Sequence, residues 1–419
     1  MRARWFLIAA LIAAFTMGVS ACGDDEEGGG GGAIEGNKLT IYSSLPEQGA
    51  SGGQTKAIED GARLAVEQIG GKVGDYTIEY KPLDDSLAST GAADEGKARQ
   101  NARTAVSDKT TIGYIGEYNS GISKVTIPIN NRAGIAQVSP ANTYVGLTTN
   151  KPGSEPGEPD KYYPTGKRTY ARVVPPDTIQ GAALAQASQA AGCKSVHIWN
   201  SKTTYSAGLA RNLSMSAEKL GLDVQGNDGI DPKAPNYRSL AANVKADCFV
   251  LTGEIESNGV QAVKDVAAAN PQAKLLAGDG MCLGDTADPK KGLPANIAAR
   301  FKCTIATLDP QEFGPEGKKF FADFKTKYNE DNPDPYAIYG YEAMALMLDA
   351  VKRASEKGDL TREAVVEELF NTKNRSSVLG QYSIDENGDT SLTDYGLYKI
   401  EAGELGFDTV LKAGEAAAS

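Results

Sequence analysis

The sequence predicts a two-lobed α/β protein in which parallel sheets are wrapped by helices. Three observations lead to this fold class. Short apolar segments alternate with helical segments from Lys38 onwards, and this alternation is typical of βαβ units. It stops in a Gly/Pro/Lys-rich stretch between Leu147 and Tyr170 and then restarts. The part of the chain expected to fold, about 380 residues, is also too long for one hydrophobic core, so two lobes are expected.

The first lobe begins with the apolar strand Leu39–Ser44, which ends in a polar loop. The helix after it, Gln54–Ile69, carries Ile58, Ala62 and Ala65 on one face and ends at two glycines. The rest of this lobe alternates in the same way, with strands predicted over 76–81, 111–116 and 135–139 and helices over 95–107 and 122–133. The stretch 148–168 that follows is interpreted as a long surface insertion.

A second set of elements has a similar size, and this similarity indicates a second lobe. Its helices are predicted over 179–191, 205–220 and 259–269, and its strands over 195–200, 247–252, 274–278 and 301–307. Three further helices are predicted over 317–329, 337–357 and 361–370, followed by β structure over 382–385 and 395–400. The acidic run from Asp385 to Asp389 could suggest a calcium loop, but Thr390 and Gly396 stand where such a loop needs Gly and Glu. We therefore expect a plain Asn-Gly turn at 387–388.

Residues 1–21 have the pattern of a lipoprotein signal peptide. Arg2 and Arg4 precede an apolar run that is short for a membrane span, and small residues lead to Cys22. Cleavage before Cys22 would leave its thiol to carry lipid, and residues 22–37, rich in Gly and acidic residues, would form a flexible tether. The alternative is an ordinary secretory signal in which the cysteine is incidental. We expect an exported chain, lipid-anchored to the outer face of the cell membrane on its periplasmic or extracellular side.

Composition argues against several functional classes. The formal net charge is −11, which disfavours nucleic-acid binding through clustered Lys and Arg. The chain has one histidine, His197, and a histidine packed in or beside a sheet is a better interpretation than a metal ligand or a member of a Ser-His-Asp arrangement. No HExxH motif occurs, and the glycine run at 28–32 has the composition of a linker. We expect no cofactor and no metal.

Apart from Cys22, the chain has four cysteines, at 193, 248, 282 and 303. Their spacing is not that of zinc ligands, and in an exported chain disulfides are the better interpretation. Four cysteines allow three pairings. Cys193 and Cys248 each stand at the front of a predicted strand, and neighbouring parallel strands would bring them together. We therefore favour Cys193 with Cys248 and Cys282 with Cys303.

Several short segments are similar to those of a known family. They are Gly53-Gln54, 61–66, Asp84-Asp85, Ile115-Gly116 with Ser120, 139–143, 205–210, 341–343 and 380–389. In this order and spacing, the sequence resembles the Leu/Ile/Val-type solute-binding lipoproteins of ABC uptake systems over residues 38–415. The resemblance implies the type I periplasmic-binding-protein fold, with two Rossmann-like lobes joined by three hinge crossovers. The N-terminal lobe would comprise 38–171 and 309–393, and the C-terminal lobe 172–308 and 394–419.

The resemblance also implies a ligand in the cleft between the lobes and a role for five residues. Ser120 with the backbone after it, Ser139 and Thr143 would surround the α-carboxylate of an amino acid. Tyr205 would cover the ligand from the second lobe, and Asp279 would receive its α-ammonium. Independently of the family, all of these lie in or beside polar segments beyond the carboxyl ends of predicted strands, where parallel sheets bind ligands.

Two further residues, Tyr118 and Glu254, are expected in the cleft only from their position after predicted strands. Simpler interpretations remain for three of the others. Ser139-Pro140 and Asp279-Gly280 would then only form turns, and Tyr205 would only pack at a helix start.

The function expected is the capture of a small polar metabolite, an amino acid that is branched-chain or similar, by a monomeric protein that is not an enzyme. The permease subunits of an ABC importer would receive this ligand. The loop 45–53 and the stretch 148–168 depart from the commoner family form, so an aromatic acid, an amide or a urea-like solute is an alternative ligand. A ligand-sensing surface receptor is another alternative. An exported enzyme would need paired carboxylates such as Glu254 or Glu256 with Asp279.

Overall fold

The computed structural model describes residues 34, 36–358 and 360–414. The predicted signal peptide and Cys22 lie outside the described residues, as does most of the predicted tether. Within the described residues, no helix combines the length and the apolar character that crossing a membrane requires.

The chain forms strands and helices in the alternating order that the sequence predicts. Its first part contains β1 (Lys38–Leu45), α1 (Gly52–Gln68), β2 (Lys72–Val73), β3 (Tyr76–Asp84), α2 (Glu95–Ser107), β4 (Thr111–Ile115), α3 (Ser120–Arg132), β5 (Ala136–Ser139) and β6 (Tyr170–Arg172). The middle part contains α4 (Asp177–Ala190), β7 (Ser195–Asn200), α5 (Thr204–Lys219), β8 (Asp223–Gly229), α6 (Arg238–Ala241), β9 (Cys248–Leu251), α7 (Gly259–Ala269), β10 (Lys274–Ala277), α8 (Gly284–Ala287), α9 (Ala295–Ala298) and β11 (Phe301–Ile305). The last part contains α10 (Pro315–Tyr328), α11 (Ala337–Lys357), α12 (Arg362–Phe370), β12 (Arg375–Ser377), β13 (Gly380–Tyr382), β14 (Asp394–Glu401) and β15 (Glu404–Lys412).

These elements build two large sheets and a small two-stranded sheet of β12 and β13. The first has the strand order β2-β3-β1-β4-β5-β6, and its pairs are parallel except for β2 with β3. The second has the order β15-β14-β11-β10-β9-β7-β8, and its pairs are parallel except that β14 pairs in the antiparallel sense with both β11 and β15. Because α11 returns to contact α1, β4 and β5, the chain crosses between the lobes three times, after β6, after β11 and after β13. The predicted fold class is confirmed.

Two glycines allow α11 to lie directly against α1 in the first lobe. A Cβ atom added to Gly61 of α1 would lie 2.1 Å from the carbonyl oxygen of Ala337, and one added to Gly340 of α11 would lie 2.0 Å from that of Ile58. Both distances are far below van der Waals contact, so any side chain at either position would push the helices apart.

Two of the three crossings are tied together by a buried arginine. Arg172, the last residue of β6, is fully buried, and its Nε pairs with Asp389 Oδ1 at 2.7 Å. Its other guanidinium nitrogens donate to the carbonyl of Tyr144 (2.8 Å) and to the hydroxyl of Thr148 (2.6 Å). The backbone N–H of Arg172 donates to the carbonyl of Gly388 in the predicted Asn-Gly turn, where φ is +96°. The end of the first sheet is therefore fixed to the start of the third crossing.

The stretch 148–168 is more than the surface insertion that the sequence suggests. The carboxylate of Glu158 is fully buried and accepts hydrogen bonds from the hydroxyls of Tyr144 and Tyr162, which fixes the stretch to the first lobe. On its other side, Arg211 of α5 donates to the carbonyl of Gly153 at 2.6 Å. The stretch therefore contacts both lobes.

Both favoured disulfides are present. Cys193 pairs with Cys248 and Cys282 pairs with Cys303. The first bond joins the starts of the neighbouring strands β7 and β9, which is the reason given for it from the sequence. The second joins β11 to the short turn Asp279–Met281 that follows β10. The first bond therefore lies at the amino ends of the parallel strands of the second sheet, and the second bond lies toward their carboxyl ends.

Candidate functional site

A small cavity lies between the lobes, with a volume of about 30 Å³. Its lining residues are Tyr118, Asn119, Ser120 and Ala141 from the first lobe, Tyr205, Glu254, Glu256, Asp279 and Gly280 from the second, and Tyr336 just before α11. This volume has room for about two or three water molecules. The lobes are thus closed on one another around a polar space.

The start of α3 forms the first-lobe side of the cavity. Asn119 occupies the N-cap position without making a side-chain capping bond, and Ser120 is the first residue of this helix. The first backbone N–H groups of a helix have no partner within it, and the helix dipole makes this end positive. The hydroxyl of Ser120 accepts a long hydrogen bond (3.4 Å) from the backbone N–H of Tyr144. This end of α3 suits the negative part of a ligand.

Asp279 forms the opposite side, directly after β10. Its Oδ1 accepts hydrogen bonds from Tyr205 Oη (2.5 Å) and Gln180 Nε2 (2.8 Å), and its Oδ2 accepts one from Tyr336 Oη (2.7 Å). Burial raises the pKa of Asp279, and the three hydrogen bonds oppose this rise. The carboxylate is thus oriented by neutral donors from three separate elements.

Glu254 holds a second carboxylate in the same way. It follows β9, and it accepts hydrogen bonds from Ser201 Oγ (2.6 Å), Thr203 Oγ1 (2.5 Å) and Ser257 Oγ (3.3 Å). Burial raises the pKa of Glu254, and these hydroxyls again oppose the rise. The loops of Glu254 and Asp279 touch, since a Cβ added to Gly280 would lie 3.1 Å from Glu254 Cγ.

The charged side chains that line the cavity are all acidic. Glu254, Glu256 and Asp279 line it, whereas Lys, Arg and His are absent from its described lining. Buried carboxylates without a cation are costly, because a low-dielectric site disfavours the charged form. The geometry therefore suits a ligand whose positive group meets the second lobe and whose negative group meets the start of α3.

Five of the seven predicted site residues line this cavity, namely Tyr118, Ser120, Tyr205, Glu254 and Asp279. The other two, Ser139 and Thr143, are not among its lining residues. Ser139 Oγ donates to the carbonyl of Glu117 and accepts from the N–H groups of 141 and 142, so it organises the loop. Thr143 is buried, its Oγ1 has no hydrogen-bond partner, and its carbonyl accepts from the N–H of Asp177.

Three site residues were missed by sequence reasoning. Gln180 of α4 and Tyr336 both donate to Asp279, and Gln54 of α1 accepts a hydrogen bond from the hydroxyl of Tyr118 at 2.6 Å. Gln54 was singled out only as a family marker. Gln180 and Tyr336 carry no local signal, because their contacts with Asp279 join parts of the chain that are far apart in the sequence.

His197 lies away from the cavity. It is buried in β7, next to the edge strand β8, with its Nε2 2.7 Å from Asp228 Oδ2. In the part of the chain that the structure describes, no group of three or more His, Cys, Asp or Glu side chains could hold a metal ion.

Comparison with known proteins identifies the family. The family model described as "Periplasmic binding protein" matches residues 40–404. The chain belongs to this family. Members are extracytoplasmic solute-binding proteins, and the predicted family resemblance is confirmed.

Curated relatives of this family member are similar over nearly its whole length. The Leu/Ile/Val-binding protein homolog 1 of Brucella melitensis is 25% identical over 411 residues, covering 97% of this chain and 98% of the relative. The Leu/Ile/Val-binding protein BraC3 of Rhizobium johnstonii is 24% identical over 377 residues, covering 88% of this chain and 93% of the relative.

Solved structures share the fold. The leucine-binding protein LivK of Thermotoga maritima has a TM-score of 0.76 at 24% identity, covering 90% of this chain and 99% of that one. LivJ of Streptococcus pneumoniae, in complex with isoleucine, has a TM-score of 0.74 at 20% identity, with coverage of 90% and 99%. A solute-binding protein of R. palustris in complex with benzoate has a TM-score of 0.70 at 20% identity, with coverage of 89% and 96%.

Proposed function

We propose that this protein captures an amino acid in the cavity between its lobes and delivers it to an ABC importer. The names of the curated relatives support an amino-acid ligand. The match to binding proteins of transporters supports a membrane permease as the partner.

The observation that carries this proposal is the arrangement of opposite electrostatic ends across one small cavity. An α-amino acid carries a carboxylate and an ammonium on the same carbon. The start of α3 at Ser120 offers N–H groups for the carboxylate, and Asp279 with Glu254 offers negative charge for the ammonium. Each charged group loses bulk water when the lobes close and gains a partner of opposite sign.

The same charges disfavour an aromatic acid such as the benzoate held by the R. palustris neighbour. A ligand with only a carboxylate would add a fourth carboxyl group to a cavity already lined by Glu254, Glu256 and Asp279. It would leave these carboxylates without a positive partner, and like charges at such short range repel. An amino acid avoids this cost.

Closure of the two lobes would trap the ligand. The segment Gly49–Ser51 of the first lobe contacts Ile255–Ser257 of the second, and Lys124 Nζ donates to Thr204 Oγ1 at 3.2 Å across the cleft. Since ligand groups bind to both sides, the closed arrangement is favoured when ligand is present. The carboxylates of Asp279 and Glu254 serve binding rather than turnover, because each already accepts three hydrogen bonds.

The remaining parts of the proposal rest on the sequence. Residues 1–21 would direct export, and a lipid on Cys22 would anchor the protein to the outer face of the membrane. There the protein would meet the permease. The folded part would act as a monomer with one ligand site.

Isothermal titration calorimetry with the purified protein tests the proposal. We expect at least one of the standard amino acids to bind with a stoichiometry of one, and benzoate and 4-hydroxybenzoate to bind far more weakly. Binding of either aromatic acid in the absence of any amino-acid binding would contradict the proposal. A mass measurement of the mature protein from membranes tests the lipid on Cys22.

A further inference from the structure

The side chain of Gln54 lies between the cavity and a much larger groove and forms a wall between them. Its Oε1 accepts from the hydroxyl of Tyr118, which lines the cavity, and its Nε2 donates to Asp334 Oδ1 at 2.9 Å, on the groove side. The groove beyond has a volume of about 770 Å³.

The end of the cavity at this wall is acidic. Burial raises the pKa of Tyr118 well above its usual range, and the carboxylates of Glu256, Asp334 and Asp279 raise it further. Glu256 and Asp279 line the cavity with Tyr118, and Asp334 is connected to Tyr118 through Gln54. The groove continues this pattern, since Asp285, Asp309, Glu330, Asp334 and Glu404 line it. The basic residue among its described lining, Lys291, pairs with Asp285 at 3.3 Å.

The closed cavity is too small for the ligand proposed above without a change at its wall. A volume of about 30 Å³ holds about two or three water molecules, less than the head group and side chain of leucine require. The Gln54 side chain contacts Tyr118 of the cavity and lines the groove, so its displacement would open a path between the two. An amino-acid side chain directed this way would run along the ring of Tyr118 toward Asp334.

We propose that the preferred ligand is an α-amino acid with a long, positively charged side chain, whose cationic end replaces the Gln54 amide on Asp334. This inference rests on the proposed amino-acid function and adds the class of side chain. The α-ammonium would bind at Asp279, and the second positive group would lie between Asp334 and Glu256. A cation there gains the attraction of two carboxylates that a neutral side chain leaves unpaired.

Asp334 has the geometry for such an exchange. Both of its hydrogen bonds, from Gln54 Nε2 (2.9 Å) and from the backbone N–H of Tyr336 (3.0 Å), go to Oδ1. A ligand ammonium or guanidinium could take the place of the Gln54 amide at Oδ1, while the backbone bond from Tyr336 keeps the carboxylate in position. The neutral Gln54 amide is a weaker donor than the cationic group of the ligand, because a charge-assisted hydrogen bond to a carboxylate is about twice as strong as one from a neutral donor.

The test compares L-lysine with L-norleucine, which has the same side chain without the terminal ammonium. In calorimetry with the unaltered protein, we expect L-lysine or L-arginine to bind at least 10-fold more tightly than L-norleucine and L-leucine. In the variant Asp334→Asn, this preference should fall at least 10-fold, with the affinity for L-norleucine unchanged. The matched control is Asp331→Asn, because Asp331 lies on the same loop, is 80% exposed and pairs only with the surface Lys325 among the ion pairs seen.

The outcomes separate this inference from the proposed function. Tighter binding of L-leucine or L-norleucine than of both basic amino acids would overturn the inference and leave amino-acid capture intact. Absence of binding by every amino acid would overturn the proposed function itself. Should Asp334→Asn fail to fold, as judged by its thermal transition, the comparison of ligands in the unaltered protein decides alone.

Discussion

Both disulfides are expected to stabilise the fold, but only the disulfide between Cys282 and Cys303 is expected to affect ligand binding. Replacing each pair by serine separates these two effects. Cys282 stands directly after the turn that presents Asp279, and its N–H donates to the Asp279 carbonyl at 2.8 Å. The bond to Cys303 on β11 fixes this turn to the sheet. The other bond joins strand starts at the far end of the sheet.

The expected loss of stability follows from the length of chain that each bond closes. The separations are 55 residues for Cys193 with Cys248 and 21 residues for Cys282 with Cys303. In the chain-entropy model, removing them costs about 4 and about 3 kcal/mol of unfolding free energy, respectively. The bond farther from the cavity therefore has the larger effect on stability.

The expected loss of affinity has the opposite order. Without its bond, the turn Asp279–Met281 gains conformational freedom that binding must remove again. We expect a loss of roughly 1–2 kcal/mol in binding free energy, about 5- to 30-fold, for Cys282→Ser with Cys303→Ser. For Cys193→Ser with Cys248→Ser, the affinity of the folded protein should be unchanged.

Urea denaturation gives the stabilities, and calorimetry with the tightest-binding amino acid gives the affinities, at a temperature where both variants are folded. An equal loss of affinity in the two double variants would refute the reasoning, because it would mean that general loosening of the second lobe, and not the anchoring of Asp279, controls binding. So would an unchanged affinity in the Cys282 and Cys303 variant.

Three further outcomes are expected. Asp279→Asn keeps the size of the side chain but removes its charge, so calorimetry should show an amino-acid affinity lower by about 2–4 kcal/mol, whereas Asp228→Asn at the edge of the second sheet should show no change. Gly61→Ala should lower the unfolding free energy by about 1–3 kcal/mol in urea because its Cβ would meet α11, whereas Gly53→Ala in the same helix, with open space around it, should not. Burial raises the pKa of Asp177 to about 8. Between about pH 4 and pH 8, Asp177 is therefore protonated in the folded protein and ionised in the unfolded chain, so the unfolding free energy falls as the pH rises through this range. Asp177→Asn should therefore be more stabilising relative to the unaltered protein at pH 8 than at pH 5, and a constant difference would contradict this.

Elements with an apolar period were predictable from the sequence, and polar elements were not. The helix Ala337–Lys357 buries Met344, Leu348 and Val351, as its spacing predicts. The strand Asp223–Gly229 has the sequence DVQGNDG and only half-buried or exposed residues. It is held by pairing with β7 at the sheet edge, and such pairing leaves no trace in hydropathy.

The candidate site was predictable to the extent that its residues follow strands. Glu254 and Asp279 come directly after β9 and β10, and the carboxyl ends of parallel strands meet at one edge of a sheet. The direction of a side chain within such a loop is set by its hydrogen bonds, which is why Ser139 turned out to hold its own loop together. Tyr336 was not predictable, because only the relative placement of the lobes brings it to Asp279. Gln180 was not predictable either, because the packing of α4 within the second lobe brings it there.

The buried guanidinium of Arg172 has a mechanical consequence. It fastens the strand that leaves the first lobe to the turn that begins the last return to the second lobe, through Asp389 and the carbonyl of Gly388. We therefore expect these two connections to bend together when the lobes open, and such coupled bending would bring the start of α3 and Asp279 back to the same separation at each closure.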